Sequence, residues 1–279
     1  MSKIPLACAD FSFPLLPHDL ALDLIAGLGI EGIDVSLMLT NSHLPVEQVM
    51  ADPPTWARLI HSKLAQRGLA LADVNFTPGG DFKTRTVNHP DAAVRKEAQE
   101  WFYRALEFTV RAGSKHITML PGVCWPGEDG QTSLKRAADE LAWRVEEGAK
   151  LGVTVSVEAH LGSIVPTPTE ARRLLELTPG LTLTLDYTHF VYQGFPDADC
   201  EALLPSASHL HARGGHRGRL QAPMKRNAID YARVLQAMTT VGYGGYFAIE
   251  YVWIDWENCN DVDTLSETVL MRDLANRYR

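Results

Sequence analysis

Residues 153–160 read VTVSVEAH, a short run rich in β-branched side chains that ends in a glutamate and a histidine. Three comparable runs follow it, LTLTLDYTH at 181–189, HLHARGG at 209–215 and YFAIEYVW at 246–253. Short apolar runs between polar segments are typical of buried strands. The segment PTPTEARRLLELTPG, which separates the first two runs, has a helical pattern with Thr167 or Thr169 as its N-cap. This part of the chain therefore predicts strands that alternate with helices.

The same alternation extends through the rest of the sequence, which contains eight strand–helix units and no low-complexity linker. We predict further strands at 4–13, 32–37, 69–80 and 116–122, helices at 18–29, 53–68, 90–112 and 133–152, and a last helix at about 261–277. Ser133 is the predicted N-cap of its helix. No GxGxxG motif follows the first strand, which disfavours an open dinucleotide-binding sheet. The pattern predicts an α/β protein with a single (β/α)₈ TIM barrel domain over residues 1–279.

Composition and charge narrow the range of partners. The chain has 279 residues, of which 46% are hydrophobic and 22% charged, as in ordinary globular proteins. A net charge of −8 argues against nucleic acid or an anionic membrane as a partner. The four cysteines lack CxxC spacing, the N-terminus does not resemble a signal peptide, and no apolar run is long enough to span a bilayer. We therefore expect a cytoplasmic protein that acts on a small molecule.

Four potential metal ligands lie on the four runs of the C-terminal half. Glu158, Asp186, His211 and Glu250 follow one another at steps of 28, 25 and 39 residues, about the length of a strand plus a helix. Functional residues at the C-terminal ends of barrel strands meet in the mouth of the barrel. Three carboxylates and one imidazole form a mostly hard-oxygen site. The four residues predict one divalent ion, for which Mn²⁺ is the first choice and Mg²⁺, Co²⁺ and Zn²⁺ also fit.

With these residues in place, the sequence resembles the xylose-isomerase-like TIM barrels of the sugar (or sugar-phosphate) isomerase/epimerase family. The resemblance is strongest to ketose 3-epimerases of the tagatose-epimerase type, which use a Glu, Asp, His, Glu metal set. Those enzymes add a histidine three residues after the aspartate and an arginine six residues after the ligand histidine. His189 and Arg217 stand at these two offsets. The resemblance implies that both contact the substrate, and that the protein forms a homo-oligomer, a dimer or a tetramer.

The resemblance also implies a reaction, proton transfer next to the carbonyl of a ketose or related keto-sugar through a metal-stabilised enediolate. Glu158 and Glu250 would be both metal ligands and the catalytic proton-transfer pair. By strand periodicity His160 shares the face of Glu158 and Arg213 shares that of His211, so both are candidates for substrate contacts. Trp125, after the fourth strand, is a candidate for an apolar wall against a sugar ring.

Three alternatives stay open at this point. A metal-dependent dehydratase or lyase acting on a keto-sugar or cyclic polyol would use the same site and then expel a β-leaving group. A nuclease of the abasic-site endonuclease type would need further zinc ligands, and the Asp-x-His pair expected after His211 is absent from RGGHRGRLQAPMKRN. The third alternative is a non-catalytic sugar-binding barrel, which would not explain why a complete set of metal ligands is present.

Overall fold

Eight parallel strands form a closed barrel in the computed structural model, which describes residues 3–279. The strands are β1 (Leu6–Ala9), β2 (Gly32–Met38), β3 (Ala70–Thr77), β4 (His116–Met119), β5 (Thr154–Glu158), β6 (Thr182–Asp186), β7 (Ala207–Ala212) and β8 (Phe247–Ile249). Each strand pairs with the next along the chain, and β8 pairs with β1 to close the ring. The predicted (β/α)₈ barrel is confirmed, whereas the assignment of residues 1–279 to one domain stays a prediction.

Ten α-helices connect and surround the strands in the described part of the chain. They are α1 (His18–Gly27), α2 (Val46–Ala51), α3 (Pro53–Ala65), α4 (Ala92–Ala112), α5 (Gly130–Lys150), α6 (Pro168–Leu177), α7 (Tyr187–Gln193), α8 (Asp197–Glu201), α9 (Tyr231–Thr240) and α10 (Thr264–Tyr278). Sequence patterns missed α2 and α7, since helices of six and seven residues show little periodicity. The predicted cap of α5 is wrong, because Asp129 and not Ser133 accepts the hydrogen bond from Thr132 N–H. None of the helices has the length and apolarity that crossing a bilayer requires.

The strands are two-faced, with apolar side chains toward the helices and polar ones inside the barrel. Hydrogen bonds between strands that are not neighbours can pass only through the interior, and several exist. Thr118 of β4 bonds Thr184 of β6 at 2.6 Å, and His209 of β7 bonds Asp34 of β2 at 2.8 Å. Barrel interiors are usually filled by branched aliphatic side chains. This barrel instead has a polar interior, in which hydrogen bonds join side chains from opposite strands.

A register shift on β7 brings an additional polar side chain into the barrel interior. Leu183 pairs with Ala207 whereas Thr184 pairs with His209, which leaves Ser208 as an additional residue. Ser208 Oγ lies 2.7 Å from His116 Nε2, while the next residue, His209, bonds Asp34. The irregularity thus lets two successive residues of one strand both reach interior partners.

Candidate metal centre

Three of the predicted ligands converge at the C-terminal end of the barrel. Glu158 ends β5, His211 lies near the end of β7, and Glu250 directly follows β8. His211 Nδ1 is 3.0 Å from Glu158 Oε1 and 3.3 Å from Glu250 Oε2. One atom from each side chain can be chosen so that all three lie within 4.8 Å of one another, and all three residues are buried. We call Glu158, His211 and Glu250 the ligand cluster.

Asp186 lies beside the ligand cluster with both carboxylate oxygens engaged. It ends β6 and caps α7, where Oδ1 accepts hydrogen bonds from Thr188 N–H at 2.8 Å and Thr188 Oγ1 at 2.7 Å. Its Oδ2 accepts a hydrogen bond from Arg213 Nη2 at 2.8 Å. The same Arg213 nitrogen is 3.8 Å from Glu250. Arg213 is therefore an internal cation between two of the predicted ligands, and Asp186 stays a prediction as the fourth.

Burial and neighbouring charges set the protonation of the ligand cluster. Burial would raise the pKa of Glu158, but the hydrogen bond and positive charge of His211 outweigh it and hold that pKa well below its usual range. Burial raises the pKa of Glu250 to about 8, against the opposing effect of His211 and Arg213. The pKa of His211 lies well above its usual value, because the surrounding carboxylates outweigh its burial. One carboxyl group thus keeps a proton at neutral pH, as expected where acidic groups outnumber cations.

The donor set fits a divalent ion. Two glutamates and one imidazole nitrogen face a common point, and the retained protons of Glu250 and His211 are those that a cation would displace. A second combination of potential ligands shares Glu158 with His160 and His189. Both histidine rings are buried and lie 4.0 Å apart. Burial lowers the pKa of each, so both are neutral donors or acceptors near pH 7.

A cavity of about 370 Å³ opens onto the ligand cluster. Glu158, Glu250, His160 and Arg213 lie at its floor. Its walls are Phe11, Met38, Thr40, Asn41, Asn75, Thr77, Gly79, Gly80, Asp81, Phe82, Leu120, Val252, Ile254 and Trp256. The polar wall residues are mostly uncharged hydroxyls and amides, and the remaining wall is largely apolar. A cavity of this volume, with a few convergent polar groups, is typical of a small-molecule site.

Aromatic rings form one side of the cavity. Trp256, the first residue of a 3₁₀ helix after β8, stacks on His160 with ring centroids 5.0 Å apart and an angle of 24° between the planes. Phe82 packs edge-on against both rings, at 5.1 Å from His160 and 6.2 Å from Trp256. The imidazole of His160 is further held by a 2.6 Å hydrogen bond between Nδ1 and Leu161 O. The three rings therefore support one another as a fixed wall.

The other residues predicted to bind substrate occupy different places. His160 and Arg213 line the cavity, whereas His189 is fully buried beside His160 and does not line it. Arg217 is exposed on the loop after β7, with its guanidinium near Gly194. Trp125 lies outside the cavity lining, where its Nε1 donates to Asn88 Oδ1. The structure thus brings His160 and Arg213 to the ligand cluster and leaves Arg217 and Trp125 apart from it.

Sequence reasoning missed several residues of the cavity and its surroundings. Asn75 and Thr77 of β3 contribute uncharged polar groups, and Phe82 lies in the loop that follows. Asp34, in the middle of the apolar strand GIDVSLM, is fully buried beneath the ligand cluster. An acidic residue inside an apolar strand was the signal used for Glu158, so the same signal could have identified Asp34.

Comparisons with known proteins place these observations in a family. A curated 2-oxo-tetronate isomerase from Pectobacterium atrosepticum is 23% identical over 210 residues, covering 70% of this chain and 76% of the relative. A D-psicose 3-epimerase from Clostridium cellulolyticum H10, solved with D-tagatose, superposes with a TM-score of 0.78 at 13% identity over 99% of each chain. A xylose isomerase-like TIM barrel protein from Mycobacterium smegmatis, solved with magnesium, has a TM-score of 0.75 at 15% identity over 100% of this chain and 98% of its own. The family model described as xylose isomerase-like TIM barrel matches residues 22–270, so the chain belongs to that family.

Proposed function

We propose that this protein is a divalent-metal-dependent isomerase or epimerase that moves a proton next to the carbonyl of a ketose or related keto-sugar. The observation that carries the proposal is the ligand cluster, in which two glutamates at the floor of the cavity flank one buried histidine. The names of the Pectobacterium relative and of the Clostridium structure, an isomerase and a 3-epimerase, support a reaction of this class.

The two glutamates lie on either side of His211 at the cavity floor, where both can reach a substrate. In the metal-free protein Glu158 is held as a carboxylate by His211, whereas burial keeps a proton on Glu250 up to a pH of about 8. A bound cation would displace that proton, which leaves two carboxylates that can exchange a proton with the substrate. A bound divalent ion would supply Lewis-acid polarisation of the substrate carbonyl. Glu158 and Glu250 are therefore the proposed proton-transfer pair and, with His211 and Asp186, the proposed metal ligands.

The cavity walls supply the proposed substrate contacts. His160 offers a neutral imidazole and Arg213 a guanidinium at the floor, while Trp256 and Phe82 provide an apolar surface for the C–H face of a sugar. His189, behind His160, would act on the substrate only after a shift of that ring. Trp125 and Arg217 stay weaker proposals, since neither reaches the cavity lining.

The charges around the cavity favour a substrate without a phosphate or carboxylate. Among the lining residues, all within the described chain, Arg213 is the only arginine or lysine, and its guanidinium is already paired with Asp186. Asp81 adds negative charge to the rim. A phosphate ester would bring about two negative charges without a free cation to receive them. The Pectobacterium relative is named for an anionic substrate, so this chain's substrate is proposed to differ in charge.

Manganese is the proposed ion, and Mg²⁺, Co²⁺ and Zn²⁺ are alternatives that the same donor atoms accept. The homo-oligomer, the cytoplasmic location and the absence of nucleic-acid and membrane partners stay predictions. Sedimentation would test the first, since a monomer at all concentrations contradicts it.

The test is solvent exchange. The Mn²⁺-loaded protein is incubated in D₂O with neutral ketoses and keto-sugars and with the phosphate esters of the same sugars, and deuterium next to the carbonyl is measured by NMR. We expect exchange with a neutral compound and none with its ester. Loss of water from the substrate instead of a changed stereocentre would assign the protein to the dehydratases. Absence of exchange across both sets, by protein with stoichiometric metal, would reject the proposed reaction.

A further inference from the structure

One imidazole nitrogen of His211 faces the two glutamates of the ligand cluster, and the other faces the barrel interior. Nδ1 faces Glu158 and Glu250, while Nε2 lies 3.5 Å from Asp34 Oδ2. His211 Nε2 and Asp34 Oδ1 are both buried and neither has a hydrogen-bond partner in the structure of residues 3–279. A buried imidazole nitrogen without a hydrogen-bond partner, 3.5 Å from a buried carboxylate oxygen, indicates an interaction that tightens in another state of the site.

Asp34 is itself fixed in place from the far side of the barrel. It lies on β2 with no solvent exposure, and its Oδ2 accepts a 2.8 Å hydrogen bond from His209 Nε2. His209 is two residues before His211 on β7, and the two rings are nearly perpendicular, with an interplanar angle of 88°. One carboxylate oxygen thus faces two imidazole nitrogens from the same strand.

We propose that Asp34, anchored by His209, is a positioning residue that selects the tautomer of the metal ligand His211. This inference rests on the proposed metal site. A neutral imidazole carries one N–H, and a metal takes the nitrogen that lacks it. Asp34 accepts the Nε2–H of His211, which leaves the Nδ1 lone pair directed at the point between Glu158 and Glu250. Histidine ligands commonly donate their second N–H to a carboxylate in this way, which fixes the ring and raises its basicity.

A matched control lies on the neighbouring strand. Asp73 of β3 pairs in register with Asp34 and is equally buried. It also pairs with a histidine, His116, at 2.6 Å, and that histidine bonds Ser208 toward the base of the barrel. The hydrogen bonds and ion pairs of Asp73 in the described chain do not reach the ligand cluster. Replacing Asp73 therefore removes a comparable buried charge without touching His211.

The experiment compares Asp34→Asn with Asp73→Asn. An asparagine at 34 keeps the shape and can keep an oxygen toward the two imidazoles, but it loses the negative charge and is a weaker acceptor for their N–H groups. The affinity for Zn²⁺ and Mn²⁺ is measured by chelator competition, and the tautomer of His211 in the Zn²⁺-loaded protein by ¹⁵N NMR. We expect Asp34→Asn to weaken metal binding by about 10- to 100-fold and to lose the single Nε2–H tautomer. Asp73→Asn should destabilise the metal-free protein similarly while its metal affinity stays near that of the wild type.

Three results would overturn the proposal. They are wild-type metal affinity in folded Asp34→Asn, an equal loss of affinity in Asp73→Asn, and an Nδ1–H tautomer in the loaded wild type. If Asp34→Asn does not fold, His209→Gln, which loosens the anchor but leaves the carboxylate, must show a smaller loss of metal affinity, and an unchanged affinity rejects the idea. A wild-type protein that binds no stoichiometric metal would reject the metal site itself, which is a separate outcome.

Discussion

Removal of the internal cation tests the electrostatics of the site most directly. Arg213 is only 3% exposed, and it donates to Asp186 at 2.8 Å and to Thr188 Oγ1 at 3.2 Å. Arg213→Met keeps much of the volume of the side chain and removes its charge and hydrogen bonds. Asp186 then stays buried with its ion pair broken, beside Glu158 and Glu250.

The magnitude follows from the loss of a buried partner. Breaking one side of a buried ion pair costs about 3–5 kcal/mol. A domain of this size loses roughly 2–4 °C of Tm per kcal/mol, which gives a fall of roughly 6–20 °C without metal. A divalent ion supplies positive charge to the same carboxylates, so it should bind the variant more tightly and restore part of this loss. A tenfold gain in affinity would return about 1.4 kcal/mol.

The assay is thermal unfolding followed by circular dichroism at neutral pH, with EDTA or with excess Mn²⁺. Arg217→Met is the matched control, because Arg217 is exposed and lies outside the cavity lining. The difference in Tm between the two metal conditions should be larger in Arg213→Met than in the wild type or the control. Two results would refute the role of Arg213 as an internal cation. One is a Tm of metal-free Arg213→Met equal to that of the wild type, and the other is an equal rise in Tm with Mn²⁺ in all three proteins.

Four further outcomes are expected. Metal binding at pH 7 should release about 0.9 proton from Glu250, whose pKa is about 8, and a further fraction of a proton from His211. The metal affinity should therefore rise with pH. Calorimetry in buffers of different ionisation enthalpy measures the number of protons released, and a release of zero contradicts the prediction. His211→Ala should abolish stoichiometric metal by elemental analysis, and unchanged content would remove it from the ligands. Glu158→Gln and Glu250→Gln should lower turnover by about 10²–10⁴ with metal largely retained and KM little changed; near-normal turnover in both would reject the two-glutamate mechanism. Trp256→Ala should raise KM while Trp253→Ala, at a position 38% exposed outside the cavity lining, should not, and equal effects would exclude the aromatic wall.

The fold was predictable because its signals are local. Strands and helices alternate along the sequence, and residue type narrowed the cap of α6 to Thr167 or Thr169, of which Thr167 is the cap in the structure. The convergence of Glu158, His211 and Glu250 was predictable as well. Parallel strands of a barrel all end at the same rim, so strand-terminal residues are neighbours whatever the intervening helices do.

The remaining parts of the site depend on side-chain directions that spacing does not determine. His189 lies in a helix that begins directly after Asp186, so its ring lies behind the cavity floor. Arg213 shares the face of His211 and reaches Asp186, whereas Arg217 lies in the turn between His216 and Arg219 and is exposed at the surface. A wall residue such as Trp256 comes from a 3₁₀ helix of six residues, which is too short to show periodicity, so the sequence offers only the residue type.

The polar interior of the barrel constrains the register in which the strands pair during folding. In β6, Thr182, Thr184 and Asp186 alternate with Leu183 and Leu185, and Ser156 and Glu158 alternate with Val155 and Val157 in β5. A slip of either strand by one residue would turn hydroxyls and a carboxylate toward the helices and leucines or valines toward the polar centre. Each buried polar group left without a partner costs about 1–3 kcal/mol, so such a slip forfeits much of the stability of a typical domain. A barrel filled with aliphatic side chains on both faces of its strands has no comparable penalty, whereas here the residues that build the site also exclude misregistered barrels during folding.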